Sequence, residues 1–139
     1  MNIALLLEDS DLSPTLLEDR GAYIQAVRQG VPGKIVEQAV KALGERDLFV
    51  RLLSTSSGNL NRLYHSKLLT KVQSEGVLDT LKVFNEAINV FGNESIAKEW
   101  LHASIPAIGG ELPINLCDTF EGRRLVRESL AAIEYGEFT

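Results

Sequence analysis

The chain has 139 residues, 45% of them hydrophobic, and a formal net charge of −5. That length allows one domain of ordinary size or two small units. The acidic balance excludes a protein coated all over in basic side chains for indiscriminate nucleic-acid binding. With only five Phe, three Tyr and one Trp, the core must be built from Leu, Ile, Val and Ala, a mixture that suits packed helices.

In chain order, the N-terminal MNIALLLEDSD holds a short apolar run without a basic flank or a long hydrophobic region. It is therefore read as neither a signal peptide nor a membrane span. Ser13-Pro14 has the form of a helix start, and Leu16, Leu17, Ile24 and Val27 follow, so a helix is expected over about 14–29. Gly30-Val31-Pro32-Gly33 breaks it, and Ile35, Val36, Ala39, Val40 and Leu43 recur at helical spacing up to Gly44. Leu48/Phe49/Leu52/Leu53 and Leu60/Leu63/Tyr64 form two short stripes either side of Ser54-Thr55-Ser56-Ser57, which predicts two short helices joined by a tight turn. Thr70-Lys71-Val72-Gln73 has capping-box spacing, and Val77, Leu78, Leu81, Phe84, Ala87, Ile88 and Phe91 continue one face of a long helix. Asn93 caps a short helix before Pro106, and an irregular stretch through Gly109-Gly110 and Pro113 follows. Asp118 or Thr119 caps a last helix over about 120–135, closed by Gly136. No segment alternates like a strand, so the fold expected is all-α, with a helical region over 1–69 and a connecting helix plus compact domain over 70–139.

The segment of about 46–66 fits the packing logic of a helix-turn-helix, with Phe49, Leu53, Leu60 and Leu63 where the two helices bury side chains against each other. Ser54 stands where glycine is usual at the turn, and Val50 where a smaller residue is usual. From Arg46 to Lys71 there are five cations (Arg46, Arg51, Arg62, Lys67, Lys71) against one acid, Asp47, so the rest of the chain carries a net −9. Local positive charge in an acidic chain gives phosphate attraction on one surface only. Ser56, Ser57, Asn61, Arg62 and His65 are expected to project outward, joined by the cation of Lys67. Asn and Arg can read adenine and guanine edges, and serines can hold phosphate. The alternative is a solvated polar face on a short helix. Dimerisation is expected of a small reading helix, with Val77, Leu81 and Phe84 as its seam.

Chemistry is poorly provided for. His65 and His102 fall on different helices without partners at metal spacing, and Gly109-Gly110 lacks the lysine of a phosphate loop. No Ser/His/Asp set announces itself. One cysteine, Cys117, cannot form an intrachain disulfide and reads as a small buried side chain in a reducing cytoplasm. A non-enzyme without metal or cofactor is expected.

The C-terminal half is more specific than any of these motifs. "VFGNESIAKEWLHASIPAIGGELPINLCDTFEGRRLVRESLAAIEYGEF" resembles the toxin-binding domain of the Xre/MbcA/ParS antitoxin family. The pattern runs VFG, an Ala-x-x-Trp-Leu helix (Ala97, Trp100, Leu101), a Gly-Gly-x-x-Pro turn (Gly109, Gly110, Pro113), a Leu-x-Asp-Thr cap (Leu116, Asp118, Thr119), Gly122 then Val126, and a closing Ile133-Glu134-Tyr135-Gly136. Residues 52–92 are similar to the family's Xre-type helix-turn-helix and connecting helix, so the resemblance covers about 30–139. The chain departs from the pattern at Arg62-Leu63, where an arginine pair is usual, and at Gly76, where an arginine is usual.

The resemblance implies a cytoplasmic type II antitoxin that binds a RES-domain toxin, an enzyme that destroys NAD, and that represses its own operon as a DNA-binding dimer. The alternative is a stand-alone dimeric regulator with no toxin partner. The family's chain end reaches into the toxin's cleft, which implies a toxin-binding role for Glu134, Tyr135, Gly136, Glu137, Phe138 and Thr139. An NAD site offers cationic or amide donors for pyrophosphate and apolar slots for the rings. Glu137 and the terminal carboxylate match the first, and Tyr135 and Phe138 the second. The competing reading has Phe138 folding back on the core beside a glycine cap. Trp100 is expected as a core anchor against the last helix.

Overall fold

The computed structural model describes residues 2–136, and among them the chain is all-helical, with nine α-helices, one 3-10 turn and no strand. It divides into two compact units, residues 1–79 and 80–139. The first holds α1 (Ile3–Asp9), α2 (Arg20–Gln29), α3 (Lys34–Leu43), α4 (Arg46–Leu52), α5 (Ser57–Tyr64) and the start of the long α6 (Lys71–Phe91). The second holds the rest of α6, then α7 (Glu94–Leu101), a 3-10 turn (Pro106–Ile108), α8 (Pro113–Leu116) and α9 (Phe120–Glu134). The division falls inside α6 rather than at the 69/70 boundary read from the sequence. Its first turns are bound to the first unit: the fully buried Ser74 Oγ accepts the Val31 amide at 3.0 Å, and a side chain at Gly76 would meet Leu52 at 3.4 Å.

In the first unit α3 is the hub, touching α1, α4 and α5. Its apolar stripe supplies Ile35, Val36 and Ala39, all fully buried, while α4 and α5, which it touches, bury Leu48, Phe49 and Leu60. Such burial is worth ~1.5–3 kcal/mol for each large side chain. Gly33 opens α3 where a Cβ would lie 1.8 Å from the Leu63 carbonyl oxygen, so only glycine lets the helix start this close to α5. The capping box at the head of α6 forms in both directions: Thr70 Oγ1 accepts the Gln73 amide at 3.1 Å, and Gln73 Oε1 accepts the Thr70 amide at 2.9 Å.

At the N-terminus one expectation is corrected and one helix is added. The helix expected from residue 14 begins at Arg20, because Asp19 caps it by accepting the Ala22 amide at 3.0 Å. Ser13 instead accepts the Thr15 amide at 3.3 Å, a local side-chain bond that competes with helix formation and turns the chain. The run at the N-terminus is a helix, α1, capped by Asn2, with Ile3, Leu6 and Leu7 buried. None of the helices, among the described residues, is long and apolar enough to cross a membrane.

The dimer seam read from the sequence is also corrected. Val77, Leu81 and Phe84 are 0%, 0% and 4% exposed within the single chain, so they are core and offer no surface to a second copy. Their spacing marks an apolar face correctly, but spacing cannot tell burial inside one chain from burial between two.

Candidate functional site

In the second unit, the motif residues turn out to be the means of folding a small helical scaffold. Asn93 caps α7 by accepting the Ile96 amide at 3.1 Å, and α7 buries Ala97 and Leu101. Trp100, expected against the last helix, packs its ring against Phe91 at the end of α6, tilted by 44° with centroids 5.8 Å apart. Gly109 and Gly110 take φ values of +73° and +77°, the left-handed region that glycine enters without strain. They reverse the chain so that the Ile105 amide donates to the Glu111 carbonyl at 3.1 Å, and the Ser104 hydroxyl donates to the Gly110 carbonyl at 2.6 Å. Pro113, read as part of an irregular stretch, begins α8, where its missing N–H costs nothing.

The helix that presents the chain end is held at its start. Thr119 caps α9, accepting the Gly122 amide at 2.9 Å. A Cβ on Gly122 would fall 1.7 Å from the Leu116 carbonyl oxygen, so glycine is what lets α9 lie against α8. The adjacent Arg123 is 6% exposed and donates to the Cys117 carbonyl at 3.0 Å. Cys117 is fully buried, as expected of a small side chain. Val126 and Leu130 carry α9 into the core, while Phe120 and Leu125 remain 66% and 39% exposed.

At the far end of α9, Glu134 and Gly136 are exposed, Tyr135 is 73% exposed, and Gly136 has φ +70°. Of the chain-end residues read from the sequence, Glu137, Phe138 and Thr139 lie outside the described residues. Beside this end is a shallow groove of about 210 Å³, formed by Glu86, Asn89 and Val90 of α6 with Arg127, Leu130, Ala131 and Glu134 of α9. The Arg127 guanidinium donates to Glu86 at 3.3 Å across it. Sequence reading missed the groove, since Glu86 and Arg127 are far apart in the chain and their charges resemble any solvated helix face.

In the first unit, α4 and α5 form the expected pair of short helices, joined by a turn in which Ser54 takes a φ of +49°. This is the position where the sequence has serine in place of the usual glycine. Phe49, Leu53 and Leu60 are buried and Leu63 half-buried. Of the residues read as DNA-facing, Asn61, Arg62, His65 and Lys67 are exposed. The two serines have local duties: Ser56 Oγ caps α5 by accepting the Asn59 amide at 3.1 Å, and Ser57 Oγ accepts from Arg46 at 3.1 Å. Arg46, counted in the sequence as part of the basic surface, also donates to the Ser57 carbonyl at 2.6 Å and the Tyr64 hydroxyl at 2.8 Å. Its charge braces the two ends of α5 against α4. Among the described residues no group of three or more His, Cys, Asp or Glu side chains could hold a metal ion.

The second unit thus anchors the start of α9 and leaves its other end exposed. Residues 86–136 match the family described as the antitoxin Xre/MbcA/ParS C-terminal toxin-binding domain. The chain is also similar to the Prs ADP-ribosylating antitoxin of Sphingobium sp. (strain YBL2), with 29% identity over 127 residues that span 83% of this chain and 79% of that one. The matched stretch runs from the second half of α6 to the end of α9, so this part of the chain has the pattern of a toxin-binding domain of antitoxins.

Proposed function

We propose that this protein is an antitoxin that neutralises a RES-domain, NAD-consuming toxin by inserting the segment Glu134–Thr139 into the toxin's nucleotide cleft. The observation that carries the reading is Tyr135, a large aromatic left 73% exposed at the end of a helix whose other end is fixed by the Thr119 cap and the Gly122 approach. An aromatic held out on a rigid element reaches a pocket with little ordering entropy left to lose. Acidic Glu134 and Glu137 supply the charge that pyrophosphate donors attract.

The similar Sphingobium protein bears ADP-ribosylation in its name, and NAD hydrolysis and ADP-ribosyl transfer both cleave the bond between nicotinamide and ribose. Nicotinamide release therefore reads either chemistry. With purified toxin and NAD, the full chain should suppress release, and a chain lacking 135–139 should not. Undiminished inhibition by the shortened chain would refute the plug.

The exposed side chains of Asn61, Arg62, His65 and Lys67 support a second activity, reading of operator DNA by α5. Two copies would supply two such helices for two half-sites. Sedimentation with and without operator DNA measures whether the protein pairs.

A further inference from the structure

The groove beside the chain end has a chemistry of its own. Its volume of about 210 Å³ is below the roughly 300–1,000 Å³ of small-molecule sites, so it suits one protein side chain rather than a nucleotide. Val90, Leu130 and Ala131 contribute apolar surface, as the methylene stem of a long side chain requires. Glu86, Asn89 and Glu134 contribute acceptors, and Arg127 is joined to Glu86. The lining therefore has one more carboxylate than cations.

A trough lined by apolar side chains with one carboxylate in excess is complementary to a lysine or an arginine. It is continuous with the proposed plug, since Glu134 lines it and the exposed Tyr135 comes next. A cleft that binds the pyrophosphate of NAD offers cationic or amide donors, and a lysine or arginine among them has a side chain long enough to reach such a trough. We propose that the groove between α6 and α9 receives a basic side chain from the rim of the toxin's nucleotide cleft, a second anchor beside the tail. The proposal rests on the toxin-binding reading above.

Asn89 and Ala131 are exposed groove residues outside the tail, so charge can be added there in either sign. The affinity of the full chain for its purified NAD-consuming toxin should rise about tenfold in Asn89→Asp and fall about tenfold in Asn89→Arg, equivalent to ~1.4 kcal/mol each way. Both shifts should shrink at high salt. Ala131→Asp and Ala131→Arg repeat the pair at a second position, and thermal melts of all four variants confirm folding.

Affinities that fall for both signs of charge would mean that bulk alone matters and would overturn the proposal. So would unchanged affinities. If the chain lacking 135–139 loses inhibition while the charge variants bind unchanged, the plug stands and the groove falls. Opposite shifts together with full inhibition by the shortened chain would keep the groove and remove the plug.

Discussion

Gly122 carries more of the second unit than any side chain of its size could. A Cβ there would sit 1.7 Å from the Leu116 oxygen and 2.6 Å from its carbon, both backbone atoms that no rotamer change can move aside. Gly122→Ala should cost ~3 kcal/mol, the upper end for overpacking, because α9 must lift from α8. Urea unfolding measures the loss, and toxin affinity should fall with it. Ser54 is the opposite case, a side chain where glycine would be easier. At φ +49° the strain is ~1–2 kcal/mol and glycine's extra unfolded-state entropy returns ~0.4–1, so Ser54→Gly should stabilise by about 0.5–1 kcal/mol. A shift of the urea midpoint at constant slope would show it.

At the scale of elements, short helices persist here because side chains tie them to neighbours. An eight-residue helix such as α5 is marginal alone, and Arg46 secures it by bonding Ser57 near one end and Tyr64 at the other. Ser74 does the same for the Gly30–Pro32 turn. Its buried hydroxyl is the acceptor for the Val31 amide at 3.0 Å, while the Val31 carbonyl takes the Leu69 amide at 2.7 Å. Ser74→Ala leaves that buried N–H without a partner and should cost ~1–3 kcal/mol. Hydrogen exchange should report faster loss of the Val31 amide proton, an effect that simple removal of a hydroxyl from solvent would not produce.

For the whole molecule, two units allow two binding activities with different physics. The face of α5 adds positive charge to an acidic chain, so operator binding should fall steeply with salt, and Arg62→Ala should weaken it while leaving toxin inhibition intact. Gel shifts at two salt concentrations, run beside the nicotinamide-release assay, separate the two activities. A salt-independent shift, or loss of inhibition in Arg62→Ala, would argue against that division.

Much of this protein was legible from local pattern. The caps at Asn93 and Thr70, a cap at Asp118 or Thr119, the long helix, the paired short helices and the family pattern of the C-terminal half follow from residue identity over three to seven positions, the range within which a helix's own bonds act. Even the odd serine at the α4–α5 turn was visible as a residue out of place. Local pattern misled where two local solutions compete, as at Ser13 and Asp19, since each can bond a backbone amide close by and residue identity does not say which one starts the helix. Tertiary structure alone decided which chain buries Val77, Leu81 and Phe84, where Arg46 spends its charge, and that Glu86 and Arg127 meet to form a groove. Those facts depend on residues distant in sequence meeting at a few ångströms, and helical periodicity holds no information about that distance.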